Sequence, residues 1–145
     1  MKISDLLSPT AVMIDVRASQ KAPLLQELAA VAAANVGLPA EQVTSHLLKR
    51  EQLGSTGTGN GIAIPHARLP GLKRPHGLLA KLKQGIEFDA IDGRAVDVVF
   101  VLLLPAFETD ALAALALVAR TLRSPDTLVR LRAAKTTSEL YAAMA

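Results

Sequence analysis

Apolar and polar positions along this chain switch between a repeat of about two residues and one of about 3.6, which predicts alternating strands and helices and therefore an α/β domain. Ala11 to Asp15 predicts a short strand. Leu24, Leu28, Val31 and Asn35 then fall on one helical stripe, with Leu25, Ala29, Ala32 and Val36 beside it. Gly37 suits the left-handed residue that ends this helix, and Pro39 can open the next. That second helix is expected to bury Val43, Leu47 and Leu48 and to carry Arg50 at its C-terminal end. Leu78, Ala80 and Leu82 alternate with Lys81 and Lys83, the pattern of a half-buried strand. Ile86 and Phe88 continue it in extended fashion up to a tight turn at Asp92-Gly93. Val96 to Leu104 is almost wholly apolar and predicts a central strand covered on both faces. Beyond it Leu112, Leu115, Ala119 and Leu122 recur at helical spacing. Ser124-Pro125 caps a short helix, and Thr136 with Glu139 forms the capping box of a last one.

Length changes this picture little: 145 residues, half of them apolar, suffice for one core, and no linker or repeat divides them, so a single domain over residues 1–145 is expected. The absence of cysteine excludes disulfides, thiolate metal sites and a thiol nucleophile. The apolar run from Val98 to Phe107 is interrupted by Pro105 and is far short of the roughly 20 residues a membrane span needs. Asp5 and Pro9 interrupt the opening residues, which do not read as a secretory signal; a cytoplasmic protein without membrane insertion is expected. Net charge is +3 with both signs scattered, and aromatic residues make up 3% of the chain, which does not suit a nucleic-acid module. Lys73-Arg74 with Lys81 and Lys83 is read as solvated surface, as are His46 and His76.

Candidate chemistry concentrates between Arg50 and Arg68. Four glycines in the eight residues Gly54 to Gly61 predict a loop, not a helix or a well-packed strand. Amides of Gly57, Gly59 and Gly61, with the hydroxyls of Ser55, Thr56 and Thr58, could converge on an anion, most often phosphate. Gly59 is followed by Asn60-Gly61, not by the Lys-Ser/Thr of a P-loop. The loop leads into Ile62-Ala63-Ile64-Pro65 instead of a helix, so a dinucleotide fingerprint fails too. Pro65 ends the brief strand and sets His66 at its end, near the loop. A neutral imidazole is a nucleophile at physiological pH. Phosphoryl transfer needs little beyond positioning and charge stabilisation, so His66 as acceptor, the amide nest of the glycine loop and Arg50 as phosphate clamp would form a sufficient set, with no metal or cofactor.

The segment from Arg50-Glu51-Gln52-Leu53-Gly54-Ser55-Thr56-Gly57 through Ile62-Ala63-Ile64-Pro65-His66 closely resembles the signature of phosphotransferase system IIA type-2 domains, the fructose, mannitol and nitrogen class. Ile86 to Val96, the apolar strand ending at Pro105, the closing helices and the opening Ile3-Ser4-Asp5-Leu6-Leu7 are similar to that family too, so the resemblance spans the chain. The free-standing length and Phe88-Asp89…Asp92-Gly93 look most like the nitrogen-regulatory branch. The resemblance implies a mixed β-sheet sandwiched by helices and phosphorylation of His66 at Nε2 with Arg50 stabilising the phosphate. It also implies an HPr-like phosphocarrier as donor, and a regulated target protein or a IIB domain downstream. A sugar-specific fructose or mannitol IIA component and a non-phosphorylated regulatory binding module remain the alternatives. Many members carry a second histidine opening the helix after the apolar strand; here that position is Ala111.

Overall fold

The computed structural model describes residues 1–107 and 110–145. Its elements run α1 (Ile3–Leu6), β1 (Val12–Val16), α2 (Lys21–Val36), α3 (Ala40–Leu53), β2 (Gly57–Gly59), β3 (Ile62–Ala63), β4 (His66–Leu69), β5 (His76–Ile86), β6 (Val96–Pro105), α4 (Ala111–Arg123), α5 (Pro125–Ala133) and α6 (Thr137–Met144). All strands join one mixed sheet in the order β1-β5-β6-β3-β2, with β4 also on β6. β1 runs parallel to β5, β5 antiparallel to β6, and β3 and β4 both parallel to β6. α2 and α3 pack on each other and against β4 to β6, while α4 packs on β6, α6 on β1, and α5 joins them. The fold is thus the mixed sheet flanked by helices that the resemblance implies.

The apolar run becomes β6, whose residues from Val98 to Leu103 are fully buried. It is central because strands on both sides take up its backbone groups, so no edge is left to water. β5 departs from the half-buried expectation. Sandwiched between β1 and β6, it buries Gly77 through Ala80 consecutively, and its Lys81 ammonium donates to the carbonyls of Arg132 and Ala134 instead of facing open water. Lys73, Arg74 and Lys83 are exposed as expected.

α2 keeps most of its predicted stripe, whereas α4 turns away from its own. α2 buries Leu24, Leu25, Leu28, Ala29, Ala32 and Ala33, leaving Asn35 exposed and Val31 half-buried. α4 buries Ala111, Ala114, Val118 and Leu122, and Leu112 stands 74% exposed. The first eight residues of α4, Ala111 to Val118, are all apolar, so spacing within them does not choose the buried face. Gly37 ends α2 at φ 72° and Ser124 caps α5 with Pro125 behind it, as expected; of the capping box one arm forms, Thr136 accepting from the Glu139 amide, while the Glu139 carboxylate accepts from the Lys135 amide instead.

Candidate functional site

The glycine segment is not a free loop. Gly57–Gly59 forms strand β2 and turns at Asn60-Gly61 into β3, a small hairpin laid beside β6. Asn60 (φ 58°) and Gly61 (φ 81°) supply the left-handed conformations that such a turn demands. Pro65 interrupts the strand, its carbonyl accepts from Leu102 at 2.9 Å, and the chain resumes as β4 with His66 opposite Leu102. His66 therefore opens a strand instead of closing one, which orients its ring towards the C-terminal end of α3.

There the imidazole is half-buried and held at both nitrogens. Nδ1 lies 2.9 Å from the carbonyl oxygen of Ile64. A carbonyl can only accept, so Nδ1 carries the proton and Nε2 keeps a lone pair. That lone pair accepts from Arg50 Nε at 3.3 Å, while Arg50 Nη1 donates to the Gly54 carbonyl at 3.0 Å and so ties the guanidinium across the helix end. Burial, first of all, holds the His66 pKa below its usual range; the Ile64 carbonyl opposes this, the Arg50 charge adds to it and Glu51 opposes it. The ring is neutral at pH 7.

Burial also lowers the pKa of His76. As pH falls below about 6.5 the unfolded chain takes up protons that the folded chain resists, so this contribution to stability, whole above that pH, is lost as pH falls through the two folded-state values. Urea midpoints measured from pH 7.5 downwards should therefore decline below about pH 6.5. A midpoint that rises over that window, or a decline that His66→Ala and His76→Ala together leave unchanged, would contradict the assignment.

A second layer holds this pair. Glu51 extends the Val43–Leu47 stripe by one further turn, so its carboxylate is buried at 8% exposure. It receives Lys21 Nζ at 2.7 Å, the Thr56 amide at 2.8 Å and the Thr56 hydroxyl at 2.5 Å. Lys21 in turn donates to the Phe88 carbonyl at 3.1 Å and sits 4.6 Å from the centre of the Phe88 ring. The Ser55 hydroxyl donates to the same carbonyl at 2.7 Å and accepts from the Gly57 amide. Gly57 is required at this junction, since a Cβ there would stand 2.8 Å from Ala90 Cβ. Lys21, Glu51 and Phe88 are not among the candidate site residues read from the sequence; the available signal is a carboxylate at an apolar-stripe position. Glu51→Ala removes the shortest partner of the Lys21 ammonium and leaves two buried Thr56 donors without theirs, which should cost about 2–4 kcal/mol and lower Tm by roughly 10 °C. Thermal unfolding checks this, and a loss under about 1 kcal/mol would mean the network is dispensable.

The expected convergence of glycine amides and hydroxyls on one spot is not what the chain forms. The donors of Ser55 and Thr56 are engaged by Phe88 and Glu51, and the Gly57 amide by Ser55. At the hairpin tip the Asn60 amide donates to Asp92, and its carbonyl accepts from Arg132, itself paired with Asp97. The amides of Asn60 and Arg94, and the nearby Arg94 charge, hold the Asp92 carboxyl below its ordinary pKa. Ile62 pairs with Val98 and His66 with Leu102, which sets Gly61 about 13 Å or more along the sheet from the imidazole. Gly59 and Gly61 thus serve the turn, Thr58 is exposed beside them, and Arg50 is the predicted site residue that hydrogen-bonds His66. Ala111 is the buried first residue of α4. His46 and His76 are half-buried, not surface: His46 Nδ1 lies 2.8 Å from the Gln42 carbonyl, and His76 Nε2 lies 3.5 Å from the Asn35 amide. Among the described residues no three of His, Asp and Glu gather where they could hold a metal ion, and no helix is long and apolar enough to cross a membrane.

Residues 5–145 match the family model described as phosphoenolpyruvate-dependent sugar phosphotransferase system, EIIA 2. The chain is 43% identical to a nitrogen regulatory protein of Bradyrhizobium diazoefficiens, over 100% of its own length and 95% of the relative's. The crystal structure of the nitrogen regulatory protein IIA-Ntr from Neisseria meningitidis superposes with a TM-score of 0.92 at 30% identity, covering 99% of each chain. The mannitol enzyme IIA of Escherichia coli, solved in complex with phosphorylated enzyme IIB, shares the fold at a TM-score of 0.80 and 16% identity, over 96% of this chain and 98% of that one. A signature running from Arg50 to His66, a family match over nearly the whole sequence and a full-length likeness to nitrogen regulatory proteins converge: the chain belongs to the EIIA type-2 family of phosphotransferase proteins, in its nitrogen-regulatory branch.

Proposed function

We propose that the chain is a cytoplasmic phosphohistidine carrier and regulator of a nitrogen-type phosphotransferase system, accepting a phosphoryl group on Nε2 of His66 from an HPr-like carrier and passing it on or signalling with it. One observation carries the reading: Nδ1–H is tied to the Ile64 carbonyl, so the lone pair of this neutral ring lies at Nε2, against Arg50. In an in-line transfer the bond from phosphorus to the donor imidazole breaks and a bond to Nε2 forms. The departing imidazole recovers its electron pair. The His66 ring gains positive charge, which the Ile64 carbonyl stabilises through Nδ1–H. Arg50 Nε–H loses its acceptor when the lone pair enters the new bond, and is then free to donate to a phosphoryl oxygen. The glycine hairpin supports this chemistry by fixing the strand that carries His66, through Thr56 and Glu51, and not by cradling phosphate with its tip.

The mannitol IIA bound to a phosphorylated IIB supports a protein acceptor of the same kind, or a regulated target, downstream. Incubation with phosphoenolpyruvate, the first enzyme of the system and the small carrier should place an acid-labile phosphate on His66, assigned to Nε2 by phosphorus NMR and to the residue by mass spectrometry. No transfer from the carrier, or phosphate on any other residue, would overturn the proposal. Ala111 favours a second reading, a module that binds its partner without phosphoryl turnover. Equal partner affinity of wild type and His66→Asp would support it.

A further inference from the structure

A crevice of about 460 Å³ lies away from His66, lined by Arg17, Ala18 and Ser19 of the loop between β1 and α2 and by Lys83 and Gln84 of β5. Two register breaks open it. Between β1 and β5 the pairing passes from Met13–Ala80 to Val16–Leu82, three residues against two, with Asp15 in the left-handed region at φ 55°. Between β5 and β6 it passes from Lys81–Val98 to Ile86–Val96, five residues against two. Bulges of this kind re-aim side chains, and here Lys83 and Gln84 of β5 face the loop that follows β1.

The lining is chemically one-sided. The side chains of Arg17, Ser19, Lys83 and Gln84 make no hydrogen bond or ion pair among the described residues, and no carboxylate lines the crevice. Of the neighbouring acids, Glu87 accepts from the Asp89 amide, Asp89 faces Lys21, and Asp15, exposed at the bulge, lies outside the lining; the first turn of α2 carries no acidic side chain. Two cations with a hydroxyl and an amide, unneutralised by their own chain, form a set of donors suited to an oxyanion, and the volume lies in the range of small-molecule sites.

We propose that this crevice binds a small oxyanion carrying a phosphate group or paired carboxylates, with Arg17 and Lys83 meeting the charge and Ser19 and Gln84 its polar remainder. The site is separate from the phosphohistidine chemistry and stands or falls apart from it. Amide shifts of the full chain are followed by NMR at low ionic strength during titration with inorganic phosphate, glucose 6-phosphate and citrate. Saturable shifts confined to Arg17–Ser19 and Lys83–Gln84 are expected for at least one of them. A response to the two phosphates alone assigns a phosphate ligand, and a response to citrate alone a carboxylate one.

The double variant Arg17→Ala/Lys83→Ala should weaken binding at least about tenfold, while Arg17→Lys/Lys83→Arg keeps it within about threefold. Both positions carrying these cations are exposed, so an unchanged Tm shows the fold intact. Arg50→Ala should leave the affinity unchanged. The proposal is overturned if no probe shifts these residues. It is equally overturned if Arg50→Ala abolishes binding that the double variant keeps, or if only an acidic peptide such as poly-glutamate binds.

Discussion

His66→Ala is expected to abolish phosphoryl labelling while leaving the fold in place. Deleting a nucleophile removes the step and does not merely slow it, so the rate should fall by more than about 10³-fold and below detection. No other imidazole can stand in. His46 lies against the Gln42 carbonyl on its own helix, and His76 against Asn35, and neither has a guanidinium at its second nitrogen. The ring is half-buried and makes one hydrogen bond to backbone, so its removal should cost only about 1 kcal/mol of stability. Labelling from a phosphorylated carrier, followed alongside far-UV circular dichroism, separates the two effects. His46→Ala and His76→Ala should label at the wild-type rate. A folded His66→Ala chain that still takes up phosphate would transfer the chemistry to another residue and remove the basis of the proposed function.

Much of this arrangement is legible in the sequence where a local rule decides. Gly37, Ser124 with Pro125, and Thr136 mark helix ends because each answers a backbone need within its own turn. β6 is legible because ten residues with scarcely a polar side chain can only be covered on both faces. The misses lie where tertiary partners decide. β4 is four residues long and follows a proline, and only its pairing with β6 makes it a strand. The glycine-rich stretch shows which conformations the backbone can adopt, but not that Glu51, Ser55 and Asp92 take the amides of Thr56, Gly57 and Asn60. Arg50 and His66 are legible as types in a recurring order, yet their contact at 3.3 Å depends on α3 docking beside β4. Glu51 is not legible as a site residue because a carboxylate beside an arginine reads as surface, and its burial follows only from the stripe it completes.

Arg50→Ala should lower the rate of phosphoryl acceptance by about 10²-fold, the lower end of what one donor aimed at developing negative charge contributes. The lower end applies because the guanidinium is only half-buried and water can partly replace it. Arg50→Lys should recover little of this. The arginine uses Nη1 to hold the Gly54 carbonyl and Nε to meet His66, two directions from one rigid plane, and a single ammonium cannot serve both. A second signature distinguishes this from lost folding. The positive charge of Arg50 is one of the forces holding His66 neutral, so without it the imidazole pKa rises. Protonated His66 has no lone pair at Nε2, and the acid limb of the rate profile should therefore move to higher pH in Arg50→Ala. A uniform drop in rate with an unmoved limb would reduce Arg50 to an anchor of the helix end, and full activity in Arg50→Lys would deny it any directional role at the imidazole.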